Sequence, residues 1–243
     1  MIAIFKKEIR SFFTSPIGYL IIGLFLLLNG LFLWVFKSPF NIFDYGFADL
    51  SNFFLLAPWV FLFLIPAITM KSFSEERKLG TLELLLIKPI STLQLVSGKF
   101  LGAFTLCFIA VLPTIVYVFS ISNLGLIEGN YDIGVVTGSY FGLLFLIAAY
   151  TSIGLFSSSI SDNQILSFIV AIALCFVLFF GFDALSTLFT DGSTQQLVKS
   201  FGANAHFERI AQGVIDIQDI TYFLSLTLFF CYITHTQLKN LTK

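Results

Sequence analysis

Long apolar runs separated by short polar stretches dominate the hydropathy pattern of this chain. Six runs approach the roughly 20 residues that a helix needs to cross a ~30 Å hydrocarbon core: Ile17–Phe36, Leu50–Thr69, Lys99–Ile121, Val135–Phe156, Ile165–Phe182 and Ile220–Gln237. The fifth is the shortest, which leaves room for irregular or re-entrant structure at its outer end. A membrane β-barrel would alternate apolar and polar residues. Leu24–Phe36 and Ile165–Phe182 are instead apolar on both parities, so helices are expected. The pattern predicts an all-α, polytopic membrane protein. Its single transmembrane domain, 1–243, has six transmembrane helices, an interfacial helix over 1–15, an inner loop over 70–98 and an outer loop over 183–219.

Composition sharpens this reading. Hydrophobic residues make up 57% of the chain and charged residues 11%, with mean hydropathy +0.94. Soluble domains carry about 25% charged residues, so a water-facing surface is excluded. Ten of the 13 Lys and Arg fall on one side of a six-span topology: Lys6, Lys7 and Arg10, then Lys71, Arg77, Lys78, Lys88 and Lys99, then Lys239 and Lys243. The positive-inside rule therefore puts both termini of this multi-pass protein in the cytoplasm. Because no small-residue cleavage site follows the first run, that run is expected to remain as helix one. Basic clusters flank spans, which gives no indication of nucleic-acid binding. Cys107, Cys175 and Cys231 lie far apart in separate spans, which argues for packing and against a metal site or disulfide.

Before the first span, Ile2, Phe5, Ile9, Phe12 and Phe13 recur at helical spacing, with Lys6, Lys7, Arg10 and Ser11 on the other side. This is the pattern of an interfacial amphipathic helix. Pro58 and Pro66 in the second run and Pro113 in the third predict bent helices. Gly134, Gly138 and Gly142 lie four apart at the start of the fourth. Such a stripe allows close packing within the bundle or against a second protomer. The spans hold almost no ionisable side chain, and Lys99 and His235 are expected to reach water or headgroups at span ends. That poverty argues against an ion-coupled transporter. In the outer loop, apolar clusters at Leu185–Phe189, Leu197–Phe201 and Phe207–Ile210 suggest short helices.

The inner loop holds the densest charge. Glu75, Glu76, Arg77 and Lys78 read as a solvated turn broken by Gly80. Thr81 is placed to cap a short helix, with Glu83 in its first turn, Leu82, Leu85 and Leu86 on one face, and Pro89 as its end. An amphipathic helix held just outside the membrane is a docking element, although the same face could rest on lipid.

The pattern Glu75-Glu76-Arg77-x-x-Gly80-Thr81-x-Glu83-x-x-Leu86-x-x-Pro89, followed by Gly98-Lys99, resembles the signature loop of ABC-2-type permeases. Phe43 to Phe47, His206-Phe207, Gly213 to Asp216 and Asp219 resemble the gliding-motility-associated (GldF-like) branch of that family. The resemblance spans nearly the whole chain and implies a protein of a bacterial inner membrane. It implies that Glu75, Glu76, Arg77, Gly80, Thr81, Glu83, Leu86 and Pro89 form the interface for a separate, GldA-like ABC ATPase subunit. It also implies a second membrane subunit with a large extracytoplasmic region (GldG-like), or a second copy of this chain. ATP and Mg would be bound by the ATPase and no cofactor by this chain. No G-x-x-x-x-G-K-[ST] loop is present: Phe100 follows Gly98-Lys99 and Leu93 stands where the upstream glycine belongs, so no phosphate cradle can form. No H-E-x-x-H or G-x-S-x-G occurs either. His206 and Glu208, two apart, do not share a helix face. Two other functions stay open: an anchoring subunit of a motility or secretion complex that translocates nothing, and an intramembrane enzyme, for which only scattered polar residues such as Asn29 are available.

Overall fold

The computed structural model describes residues 1–45, 49–86, 90–125, 131–214 and 216–240, and at positions 45, 84 and 86 the backbone alone. In chain order the helices are α1 (Ile2–Thr14), α2 (Pro16–Gly30), α3 (Ile42–Tyr45), α4 (Ser51–Thr69), α5 (Lys71–Lys78), α6 (Thr81–Leu86) and α7 (Thr92–Val111). They continue as α8 (Ile115–Leu124), α9 (Ile133–Ile160), α10 (Gln164–Phe176), α11 (Phe182–Ser186), α12 (Gly192–Lys199), α13 (Ala203–Ala211) and α14 (Ile217–Asn240). No strand occurs among the described residues. Six continuous helical stretches are long and apolar enough to cross a membrane: Pro16–Val35, Ser51–Lys78, Thr92–Leu124, Ile133–Ile160, Gln164–Ser186 and Ile217–Asn240. The chain is an all-α polytopic membrane protein.

Local chemistry sets where these helices begin and bend. Pro16 sits in the first turn of α2, where its missing N–H costs nothing. Asp132 accepts N–H bonds from Gly134 (2.8 Å) and Val135 (3.2 Å) and so starts α9. Asn163 does the same for α10 through Ile165, at 2.9 Å. Pro113 lies in a tight 3-10 turn, Leu112–Thr114, that separates α7 from α8. Pro58 and Pro66 are instead carried inside an uninterrupted α4. Five-residue π turns, Leu31–Val35 and Val177–Gly181, extend α2 and α10.

The central element is α9, which packs against α4, α5, α7, α10, α13 and α14. Its Leu143, Leu146, Ile147, Tyr150 and Ile153 are fully or almost fully buried. A Cβ on Gly154 would collide with the Thr69 side chain, so glycine there lets α9 and α4 touch. The outer faces of α2, α10 and α14 expose large apolar side chains, including Leu20, Leu27, Ile165, Ile169, Leu228 and Phe229. Such a belt is tolerable in a bilayer and not in water.

Two ends of the bundle follow. The hairpin end carries α1, α5, α6 and the last turns of α9 and α14. The far end carries α12, α13 and the first turn of α9. At the far end, a Cβ on Gly138 would lie 2.8 Å from the Ile210 carbonyl oxygen, and one on Gly142 would lie 3.1 Å from Ile210 Cγ2. The stripe thus admits α13, a short helix of the 183–219 loop. A Cβ on Gly134 would meet only the Asp132 carboxylate that caps its own helix. The helix end expected at Pro89 lies outside the described residues, as do Lys88, Glu128, Lys243 and positions 46–48.

Candidate functional site

At the hairpin end the second span does not stop where its sequence turns polar. The charged stretch expected as a solvated turn is helix α5, which follows α4 after Met70 alone. A single hydroxyl from α9 holds the junction. Ser158 Oγ accepts the N–H groups of Phe73 (2.9 Å) and Ser74 (3.1 Å) and donates to the Met70 carbonyl (3.0 Å). Its donor and both lone pairs are then used. Two N–H groups in the first turn of α5 are thus satisfied without water, which helps the helix persist past the apolar run.

Two of the charged residues turn inward from this helix. Lys99 was expected to reach water, but its side chain is only 3% exposed. Its Nζ lies 3.0 Å from Glu76 Oε1 and 3.2 Å from Glu8 Oε1, donates to the Ser72 carbonyl at 2.6 Å, and sits 5.1 Å from the centre of the Phe73 ring. Glu76 also receives Lys7 Nζ at 3.2 Å. Two carboxylates thus meet two ammonium groups, which is the balance a low-dielectric site demands. The physical reason for the difference is α1. A Cβ on Gly98 would come within 2.8 Å of Ile4 Cβ, and one on Gly102 within 2.7 Å of Glu8 Cβ. These two glycines let α1 lie directly on α7 and close the cluster over, so the amphipathic helix has a third, inward face.

Arg77 leaves the opposite side of α5. Its Nη1 donates to the carbonyls of Ser159 (3.2 Å) and Ile160 (3.1 Å) at the last turn of α9. A cation there satisfies carbonyls that have no helical partner and meets the negative end of the helix dipole. Gly80, at φ +68°, then reverses the chain. The space around it is open, so glycine is required by backbone conformation and not by crowding. Thr81 is the first residue of α6, and its hydroxyl donates back to the Glu76 carbonyl at 3.2 Å and ties the two helices together. Leu82 is buried with Phe73, Leu95, Val96, Leu155 and Leu238.

The expected interface residues therefore divide. Gly80, Thr81 and Glu83 are exposed, as are Lys78 and Leu79, which were not among the expected residues; Glu75 is half-buried, and Glu76 and Arg77 bind their own chain. The side chain of Leu86 and all of Pro89 lie outside the described residues. Sequence reasoning missed Lys7, Glu8, Lys99 and Ser158 as partners of this hairpin. The only signals were Gly98 and Gly102 four apart around Lys99, and the serine run Ser157–Ser159. His235, also expected at a wet span end, has Nδ1 2.7 Å from the Thr92 hydroxyl and links α14 to α7.

The far end holds a second ionic cluster. His206 does not engage Glu208. Its Nδ1 lies 2.6 Å from Asp219 Oδ1, and its Nε2 donates to the Ser200 carbonyl at 2.9 Å. Arg209 Nε donates to the same carboxylate oxygen at 3.1 Å, and the Tyr222 ring stacks on the imidazole at 3.9 Å. Asp219, fully buried, lies in the first turn of α14, where the sequence pattern had put it at the end of the preceding loop. The cluster ties α13 to α14. Among the described residues, no group of three or more His, Cys, Asp or Glu is placed to hold a metal ion.

No curated protein matches the chain. The family model described as ABC-2 family transporter protein matches residues 2–237, from the first turn of α1 to the last turns of α14. The chain therefore belongs to the ABC-2 transporter family, as the multi-pass membrane component of a transporter that works with an ABC ATPase.

Proposed function

We propose that this chain is the permease subunit of an ATP-driven transporter and that the α5–α6 hairpin is where the separate ATPase docks. One observation carries the reading. The hairpin has an exposed tip of Lys78, Leu79, Thr81 and Glu83, and a base bonded to three other helices: α1 through Glu76–Lys7, α7 through Glu76–Lys99, and α9 through Arg77 and Ser158. A tip free to meet a partner and a base with no slack together make a lever. Nucleotide-driven movement of the ATPase shifts the tip, and the ionic base passes that shift to α1, α7 and α9. Differential affinity of the ATPase for two arrangements of the bundle supplies the driving free energy. ATP and Mg belong to the ATPase, and this chain hydrolyses nothing.

In this reading the hairpin end and both termini are cytoplasmic, in agreement with ten of 13 Lys and Arg on that side. We further assign the chain to the gliding-motility-associated branch, on the motifs at Phe43, His206 and Asp219. Its partners are then a GldA-like ATPase and a GldG-like second membrane subunit. The test is co-purification with the co-expressed ATPase and stimulation of its turnover, using Leu79→Asp and Glu83→Lys. Both substitutions should abolish complex formation while the permease stays folded. Full association and turnover in both would refute docking at the tip.

A further inference from the structure

We propose that the cavity at the far end of the bundle binds an organic cation with an apolar body. The cavity measures about 1030 Å³ and lies between α4, α8, α9, the end of α10 and α13. Its volume is at the upper end of what small-molecule sites offer, roughly 300–1,000 Å³. From Ser51 at the mouth to Trp59 below, the wall follows two turns of α4 into the span.

Its chemistry is divided by depth. The mouth carries three carboxylates, Asp49, Asp132 and Glu208, on three different elements, and among the described lining residues there is no Lys, Arg or His. The walls are aromatic: Phe54, Phe207, Trp59 and Phe180 all face the space, and the last two stack at 3.9 Å. Carboxylates above aromatic faces attract an organic cation twice, through charge and through the ring quadrupoles. An anion would be repelled at the mouth. A neutral acyl chain would use the walls and leave three carboxylates uncompensated. The three carboxylates are not gathered into a metal-binding group, which disfavours an inorganic ion.

Existing partners leave these groups accessible. Among the described residues, Asp49 Oδ1 takes the Ser51 N–H at 3.0 Å. Glu208 accepts from Asn204 at 2.9 Å, and its Lys199 contact is long, at 3.9 Å, with both side chains more than 40% exposed. Asp132 is the most committed, since it caps α9. Asp49 and Glu208 are therefore the residues that confer charge selectivity, and Trp59 is the residue that reports occupancy.

The experiment uses two ions of the same shape and opposite charge, tetraphenylphosphonium and tetraphenylborate. Because the chain has two tryptophans, Trp34→Phe leaves Trp59 as the only indole. Its fluorescence is titrated with each ion in an uncharged maltoside detergent, which keeps lipid amines out. The phosphonium should give a saturable change and the borate should bind at least about tenfold more weakly. Asp49→Asn with Glu208→Gln should weaken the phosphonium at least about fivefold, and Glu208→Asp should hold it within about twofold. Equal binding of both ions, no saturation, or indifference to charge removal overturns the proposal. If a variant fails to fold, the contrast between the two ions in the Trp34→Phe chain decides alone. Binding is read without the ATPase, so failure here leaves the docking proposal standing, and failure of docking leaves this one.

Discussion

Replacing Lys99 by methionine removes one ammonium from between two carboxylates, with little change in side-chain volume. In the native chain that Nζ is 3.0 Å from Glu76 and 3.2 Å from Glu8, and is 3% exposed. After the change Glu76 keeps Lys7, whose side chain is 59% exposed, and Glu8 loses its Lys99 partner. Removing one member of a buried ion pair costs about 3–5 kcal/mol, because the remaining charge stays buried. A domain of this size then loses on the order of 10 °C in melting temperature. By contrast, Glu83→Gln on the exposed tip should fall within about 0.5 kcal/mol of the parent. The assay is thermal unfolding in detergent beside hydrogen exchange of residues 2–14, since α1 is held to α7 through this cluster. Replacing all three groups, as Glu8→Gln, Glu76→Gln and Lys99→Met, should recover much of the loss, because no buried charge is then left unpaired. A single Lys99→Met chain that melts with the parent and protects α1 equally well would refute the account of the cluster.

Three further outcomes follow from the same geometry. Gly98→Ala puts a methyl 2.8 Å from Ile4 Cβ; it should push α1 off α7 at a cost of about 1–3 kcal/mol, seen as faster exchange in α1. Asp219→Asn takes the charge from beside His206 and Arg209; it should cost about 1.5–3 kcal/mol and open 182–211 to protease, whereas Glu208→Gln, more exposed, should not. The Asp191 carboxyl is held below its ordinary value first by the Ser193 hydroxyl and then by Thr194. A group whose folded value is depressed stabilises above its unfolded value and loses that effect as pH falls through the folded one. Amide protection in α12, corrected for the intrinsic pH dependence of exchange, should therefore fall as the pH drops below the ordinary carboxyl value of 3.8, and Asp191→Asn should flatten that dependence.

The spans were legible because a bilayer imposes a length and a polarity that local sequence must meet, and Ile17–Phe36 or Ile165–Phe182 meets both. The α5–α6 hairpin was legible as a charged stretch followed by a short helix. Which way its charges point was not. Glu76 Oε1 pairs with Lys99, 23 positions on, and with Lys7, 69 positions back, and nothing in Ser74–Lys78 encodes either distance. A stretch of four charges reads as solvated unless another helix is known to cover it. The same holds for His206, whose partner Asp219 lies 13 residues away across a loop between two helices. Glycine pairs were half legible. Spacing by four marked a close approach, but the approaching element was α13 at Gly138 and Gly142, and α1 at Gly98 and Gly102.

Crosslinking in native membranes tests the docking claim most directly. A photoreactive residue is placed at Leu79, at Glu83, or at Leu197 on the far end, all exposed in the bundle, with the ATPase co-expressed. The account predicts ATPase adducts from positions 79 and 83 and none from 197. Adducts from 197, or silence at both tip positions in a membrane where the ATPase is present, would contradict it.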